Sequence, residues 1–231
     1  MPDFSKRSSE DEIMDDFGLS HEELNPVLKE LDVINKLLGG FSVFFDAFNK
    51  VKVKSKDSIS DWGCGSGDTF QVLQKQFDKQ KIYPTYVGVD ATPATIEYAS
   101  KQFEGNSKVS FILKDVLKDE FNENEFDFVI SSLFTHHFED EKWSILIKKM
   151  MHSSKKAVII NDLHRHPLAY YSIGILTQLF SKSPMVKHDS KVSVMRSFKK
   201  KELETLLEKA GAKNYTIKWM WAFRWQVIIY K

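Results

Sequence analysis

The chain has 231 residues, 42% hydrophobic and 28% charged, an ordinary balance for a globular protein and enough to bury a full core in one domain with additions. A formal net charge of +1 excludes a global field aimed at nucleic acid or at an anionic membrane. A single cysteine, Cys64, excludes an intrachain disulfide framework and fits a reducing compartment. The polar, acidic start lacks the basic-then-apolar order of a signal peptide, and no apolar run approaches bilayer-spanning length. A cytoplasmic protein with no membrane span is expected.

Residues 1–20 are rich in Ser, Lys, Asp and Glu, and that composition predicts a largely mobile segment. From Glu22 to Leu38 the apolar residues Leu24, Leu28, Leu31, Ile34 and Leu38 recur at helical spacing, and Gly39-Gly40 ends the pattern. A second apolar stretch, Phe41 to Phe48, follows. Its phenylalanines, Phe45 among them, either line an apolar pocket or pack this N-terminal addition onto the body of the protein. Lys50 to Asp57 reads as a solvated basic linker, so residues 1–57 form a helical addition and linker, and 58–231 the main domain.

The main domain opens on Ile59-Ser60-Asp61-Trp62-Gly63-Cys64-Gly65-Ser66-Gly67-Asp68-Thr69. This reads as a short strand, a turn with glycine at every second place, and the start of a helix. Glycine lets the backbone take positive φ and lets a ligand approach where a Cβ would collide. Amides at the helix start lack intrahelical partners and are expected to face that ligand. A second strand, Tyr86 to Asp90, ends in a carboxylate placed where a doubly wound fold binds ribose hydroxyls. Thr92-Pro93 then supplies an N-cap with proline at the first helical place.

A third strand runs from Val109 to Lys114 and ends in Asp115, and a fourth, Phe126 to Ile130, runs out into Ser131-Ser132-Leu133-Phe134-Thr135-His136-His137-Phe138. After a helix carrying Trp143, Leu146, Ile147 and Met150, the apolar run Ala157 to Asn161 makes a fifth strand. Alternating strands and helices predict an α/β fold, a Rossmann-like doubly wound parallel sheet. Residues 164–196 exceed what a connection needs: His164-Arg165-His166-Pro167 leads into an apolar helix through Phe180, then a polar loop, Ser181 to Ser193. This insertion is expected over the active face, where selectivity resides. A last helix, Glu202 to Ala210, precedes an antiparallel hairpin formed by Tyr215–Trp221 and Arg224–Tyr230.

Asp61 with the three alternate glycines, followed in order by Asp90 and Asp115, resembles the motif series of class I S-adenosylmethionine-dependent methyltransferases. The resemblance covers the chain from about Ser58 to its end and includes the terminal hairpin. It implies S-adenosyl-L-methionine as cofactor. Gly63, Gly65 and Gly67 would pack against its methionine part, with Asp61 near the ammonium and the backbone of Ser131 close by. Asp90 would take the ribose hydroxyls, and Asp115 with the backbone of Val116 would meet the adenine. Cys64 and Ala91, beside these residues in the two loops, complete the expected set. Trp62 and the polar start of the first strand depart from the family pattern.

Residues that act on the acceptor are read less directly. His136 and His137 follow the fourth strand at the ligand-binding edge, where an imidazole can take a proton near neutral pH, His137 being the first candidate. The alternative is that one caps the loop and the other packs under the next helix. His164, Arg165, Tyr170 and Phe45 are the candidate substrate contacts, although Arg165 equally suits an internal salt bridge and one of Tyr170 and Tyr171 belongs to the core. No metal-ligand set is recognisable, so none is expected. The run Ser131 to Phe134 lacks the Asn/Asp-Pro-Pro-aromatic pattern of amino-directed nucleic-acid methyltransferases. The runs around His136 and Arg165 look like a small-molecule subgroup related to quinone-biosynthesis methyltransferases, which implies a phenolic or quinone-like acceptor. A catalytically idle S-adenosylmethionine-binding protein is the alternative; an NAD(P) oxidoreductase is disfavoured by G-x-G-x-G in place of G-x-G-x-x-G.

Overall fold

The computed structural model describes residues 2–15 and 19–231. Seven strands form one sheet: β1 (Ser58–Trp62), β2 (Thr85–Asp90), β3 (Val109–Leu113), β4 (Phe126–Ser132), β5 (Ser154–Leu163), β6 (Tyr215–Met220) and β7 (Arg224–Tyr230). Their order is β3-β2-β1-β4-β5-β7-β6. β1 to β5 are mutually parallel, and β7 runs antiparallel to both β5 and β6. The order reverses between β1 and β4, so the connections leaving their carboxyl ends diverge and open a crevice there. The Rossmann-like sheet with a C-terminal hairpin is thus the architecture observed.

Helices α1 (His21–Leu37), α2 (Ser42–Val51), α3 (Asp68–Lys79), α4 (Pro93–Gln102), α5 (Asp140–Ser153), α6 (Pro167–Phe180), α7 (Pro184–Arg196) and α8 (Lys200–Lys209) surround the sheet. Two apolar layers result. Trp62, Trp143, Ile147, Met150, Leu207 and Val227 belong to one, Phe44, Ile59, Phe70, Leu73, Phe128 and Ile228 to the other. The unusual Trp62 is fully buried and stacks on Phe121 at 4.3 Å between ring centroids, so the bulk is absorbed by a partner ring. Phe44 and Phe48 of α2 are buried against the sheet, with Phe48 edge-on to Phe77 and Phe128. Phe45 is half-buried against the same layer. The stretch Phe41 to Phe48 therefore packs the addition in place.

Two expectations change. The polar stretch from Ser181 holds a helix, α7: the Ser183 hydroxyl accepts the Val186 amide at 3.3 Å as N-cap, and Pro184 follows as the first helical residue. The start signal is in the sequence, but no clean apolar stripe accompanies it. The segment before α1 is also packed rather than loose. Glu12 is only 4% exposed, and the Ile13 and Met14 amides donate to the two carboxylate oxygens of Asp189. The part of the expected mobile stretch at 16–18 lies outside the described residues. Among those described, no helix is long and apolar enough to cross a membrane.

Candidate active site

A cavity of about 1230 Å³ opens at the carboxyl ends of β1, β2 and β4. The glycine turn forms its floor. The turn's glycines take φ of +74°, +52° and +74° at 63, 65 and 67, a region that costs an L residue about 1–2 kcal/mol. Their surroundings differ. A Cβ on Gly63 would lie 2.2 Å from the Phe134 ring, and one on Gly67 2.9 Å from Phe103 and Phe111, whereas one on Gly65 would meet nothing within 4 Å. Gly63 and Gly67 are therefore glycines for internal packing, and Gly65 is the one whose missing side chain leaves room in the cavity. Gly67 caps α3 and does not line the cavity.

The amides of this turn are more occupied than helix-start geometry alone predicts. Gly63 and Cys64 donate to the Val89 carbonyl, Gly67 donates to the Cys64 carbonyl, and Gly65 donates to Asp90 Oδ2 at 3.2 Å. A turn held against a neighbouring strand satisfies its own donors first. The carboxylates dominate instead. Asp61 is 1% exposed and borders the cavity, and its buried Oδ1 has no hydrogen-bond partner among the described residues. Burial first, then the charge of Asp68 and that of Asp90, pushes the Asp61 pKa well above the usual carboxylate range. A cation brought beside it would favour its charged form and lower that pKa again. Asp90 accepts the amides of Thr92 and Gly65, and burial outweighs those bonds to raise its pKa.

Asp115 and Val116 border the cavity at the end of β3. The Asp115 carboxylate accepts the amides of Leu117 and Lys118 and pairs with Lys118 Nζ at 3.0 Å. Burial works against them, but these partners hold its pKa below the ordinary value. Cys64, Ala91 and Asp115 border the cavity. The Ser131 side chain is fully buried and its hydroxyl donates to the Trp62 carbonyl at 2.8 Å, while its neighbour Ser132 borders the cavity. The strand alternation turns the two serines to opposite faces.

The opposite wall is assembled from distant segments. Leu24, Leu28 and Leu31 of α1 cover the cavity with the leucine stripe, after a capping box between Ser20 and Glu23 starts that helix. Asp189, Ser193 and Arg196 of α7 add a polar side. His136 is 2% exposed; its Nδ1 lies 2.6 Å from Asp162 Oδ1 and its Nε2 3.3 Å from Glu12 Oε1. Burial alone would lower its pKa, but Asp162, with help from Glu12, lifts it to about 9. His137 Nδ1 meets Asp15 Oδ1 at 2.5 Å, and its Nε2 lies 3.9 Å from Glu12 Oε1. Both imidazoles are held by carboxylates that composition and spacing did not bring together.

None of the four candidate substrate contacts lines the cavity. Arg165 is 1% exposed and donates to the Ser197, Phe4 and Ser5 carbonyls and to Glu202, so it bolts the N-terminal segment to α8. His164 sits between the rings of His166 and Trp225. Burial, followed by the charges of His166 and Arg165, depresses its pKa to about 4. Tyr170 packs edge-on to Phe4 and belongs to a separate shallow depression beside Lys191. Phe45 stays in the core layer beneath the addition. The insertion was expected over the active face; α7 fulfils this, whereas α6 turns Leu168, Tyr171, Ile175, Leu179 and Phe180 to solvent.

Residues 59–157 match a family model described as a methyltransferase domain. No curated protein matches the chain. Solved structures share the fold at low identity. A methyltransferase dependent on S-adenosylmethionine from Aquifex aeolicus aligns with a TM-score of 0.64 at 15% identity, over 92% of this chain and 98% of its own. A protein from Methanococcus maripaludis described as an S-adenosyl-L-methionine-dependent methyltransferase gives 0.64 at 18%, over 88% and 91%. The plantazolicin methyltransferase BpumL, solved with S-adenosylhomocysteine, also gives 0.64 at 18%, over 88% of each chain. Residues 59–157 are thus similar to a methyltransferase domain, and the chain shares the fold of S-adenosylmethionine-dependent methyltransferases.

Proposed function

We propose that the protein transfers the methyl group of S-adenosyl-L-methionine to a small, largely apolar acceptor of phenolic or quinone-like chemistry. One observation carries this reading: the acid-and-glycine floor and the leucine-lined wall belong to a single cavity of about 1230 Å³. Pockets for one drug-sized ligand hold roughly 300–1,000 Å³, so this space suits a donor and an acceptor together. The residues fit the donor. The unpartnered Oδ1 of Asp61 suits an ammonium, the open space over Gly65 suits a close backbone approach, and Asp90 offers its carboxylate to hydroxyls.

The bound donor supplies an already activated methyl group, which leaves the chain to position and to exclude water. Asp61 and Asp90 would fix the donor from two neighbouring strands. The leucines of α1 would hold an apolar acceptor opposite and keep the space dry. Placing both reactants in one frame can supply about 7–11 kcal/mol of the barrier. His136 and His137 border the acceptor side of the cavity, with His137 the first candidate to take a proton from the acceptor.

Calorimetric titration with S-adenosylhomocysteine tests the donor half. The wild-type chain should bind it, and Gly65→Val and Asp90→Ala should lose that binding while remaining folded; normal affinity in both variants overturns the assignment. The acceptor half is tested by mass spectrometry of products formed from labelled donor and a panel of phenols and quinones. Labelled product only with basic amines or peptides would sink the acceptor reading and leave the donor reading standing. Binding without turnover on any acceptor would identify an idle cofactor-binding protein.

A further inference from the structure

Glu12, His136 and His137 bring one carboxylate and two imidazoles together at the rim of the cavity, with their ligand atoms within 4.8 Å of one another. We propose that these three side chains form a mononuclear site for a divalent transition ion, of which zinc fits best, with an open coordination position facing the cavity.

Four observations support it. First, the ligand atoms have only each other: Glu12 Oε1 and His136 Nε2 face one another as an ion pair at 3.3 Å, make no well-formed hydrogen bond among the described residues, and belong to side chains that are each 2% exposed. Two facing polar atoms left in that condition are costly unless something sits between them. Second, the spacing is close to what an ion needs. Bonds of ~2.0–2.1 Å in a tetrahedron put ligand atoms roughly 3.3 Å apart. Glu12 Oε1 stands 3.3 Å from His136 Nε2 and 3.9 Å from His137 Nε2, so a small rotation of the half-buried His137 ring closes the set.

Third, both imidazoles are oriented from behind by carboxylates. Nδ1 of His136 faces Asp162 and Nδ1 of His137 faces Asp15, which aims both Nε2 atoms at Glu12. A metal-ligating histidine donates its other N–H to a carboxylate in just this manner. The anchors are themselves fixed: Asp162 Oδ2 accepts the Thr135 hydroxyl and the His136 amide, and Asp15 pairs with Arg196. Fourth, the donor set selects the ion. Two imidazoles and a carboxylate suit zinc or another first-row ion, whereas magnesium and calcium take oxygen ligands.

Three protein ligands leave a zinc ion an open place. All three residues line the cavity, so that place would face the space assigned to the acceptor, where an oxygen ligand could be polarised. The metal proposal stands on the Glu–His–His geometry and does not depend on methyl donor binding. It revises the expectation of a metal-free protein: Glu12 lies 124 residues before the adjacent His136 and His137, and no local spacing joins it to them.

The test uses the full chain after chelator treatment, titrated with Zn²⁺ alone in a calorimeter and with Co²⁺ alone by visible absorption. One Zn²⁺ per chain should bind, and the Co²⁺ adduct should show the d–d bands of a four- or five-coordinate site. Glu12→Gln and His137→Ala should each weaken Zn²⁺ binding by about 100-fold or more, since a lost second partner alone costs 10–100-fold. His188→Gln should leave it unchanged, which separates the site from the exposed group of His188, Glu10 and Asp189. Equal binding in Glu12→Gln overturns the proposal, as does binding lost only in His188→Gln. If the Glu12 and His137 variants fail to fold, the wild-type Co²⁺ spectrum decides alone, and its absence overturns the site. Retained S-adenosylhomocysteine binding with no Zn²⁺ binding would reject the metal and leave the proposed function intact.

Discussion

The two walls of the cavity are built on different principles. On the β1–β2 side the hydrogen bonds are made by backbone to the next strand: a five-residue turn lies on β2, and the amides of Gly63, Cys64 and Gly65 are satisfied there. On the opposite side, the segment before α1, the turn after β4, the end of β5 and α7 meet through side-chain ion pairs. Arg7 donates to the His136 and Phe138 carbonyls and pairs with Asp140, Arg196 joins Asp15, and Arg165 joins Glu202. A wall made of backbone keeps its shape when one side chain is lost. A wall pinned by buried arginines does not, because losing an arginine strips its partners of the bonds that hold the segments together.

This contrast can be broken from the charged side first. Arg165→Ala should cost about 3–5 kcal/mol in chemical denaturation, since it strands Glu202 and the Ser197 carbonyl around a fully buried guanidinium site. It should also raise proteolytic cleavage before α1. A loss below about 1 kcal/mol would mean that the segment is held by its apolar contacts alone. Gly63→Ala, on the backbone side, should cost about 2–4 kcal/mol, because positive φ and the Phe134 ring both oppose the new methyl group. The double variant Gly63→Ala with Phe134→Ala should recover part of that loss.

A pH measurement separates the two sides further. His164 titrates at about 4 in the folded chain against an ordinary value near 6.5. The unfolded chain therefore takes up the proton first, so the contribution is complete above about pH 6.5 and is lost as pH falls toward 4. The expected size is on the order of 2 kcal/mol, and His164→Gln should flatten that part of the stability–pH curve. An unchanged curve would show that other groups set the acid limb. The smallest effect belongs to Gly65→Ala. With open space around it, only the positive φ opposes a side chain, so stability should fall by about 1 kcal/mol while S-adenosylhomocysteine affinity falls more than tenfold. Equal losses in stability at Gly63 and Gly65 would erase the distinction drawn between packing and cradle glycines.

The glycine-turn side of the cavity was legible because its residues sit at the ends of successive strands. Asp61, Gly63, Cys64, Gly65, Asp90, Ala91, Asp115 and Val116 follow strand ends in order and all border the cavity. Only Gly67 and Ser131 step out of it, the one to cap α3, the other by strand alternation. The acceptor side was not legible in the same way. Composition predicted a loose start because Glu12, Asp15 and Arg7 look like solvated charges until Arg196, His136 and His137 stand beside them. His164, Arg165 and Tyr170 were placed at a pocket for their chemistry, yet packing gave each an internal partner.

By itself the order of residues determined the sheet, its reversal point and the glycine turn with its acids, since these follow from periodicity and from turns that only glycine makes at low cost. Tertiary structure alone decided which charges are buried against which, and so what His136 and His137 are. The reason is physical: backbone preferences act over a few residues, whereas the worth of a carboxylate or an imidazole depends on solvent and partners that folding brings from the far end of the chain.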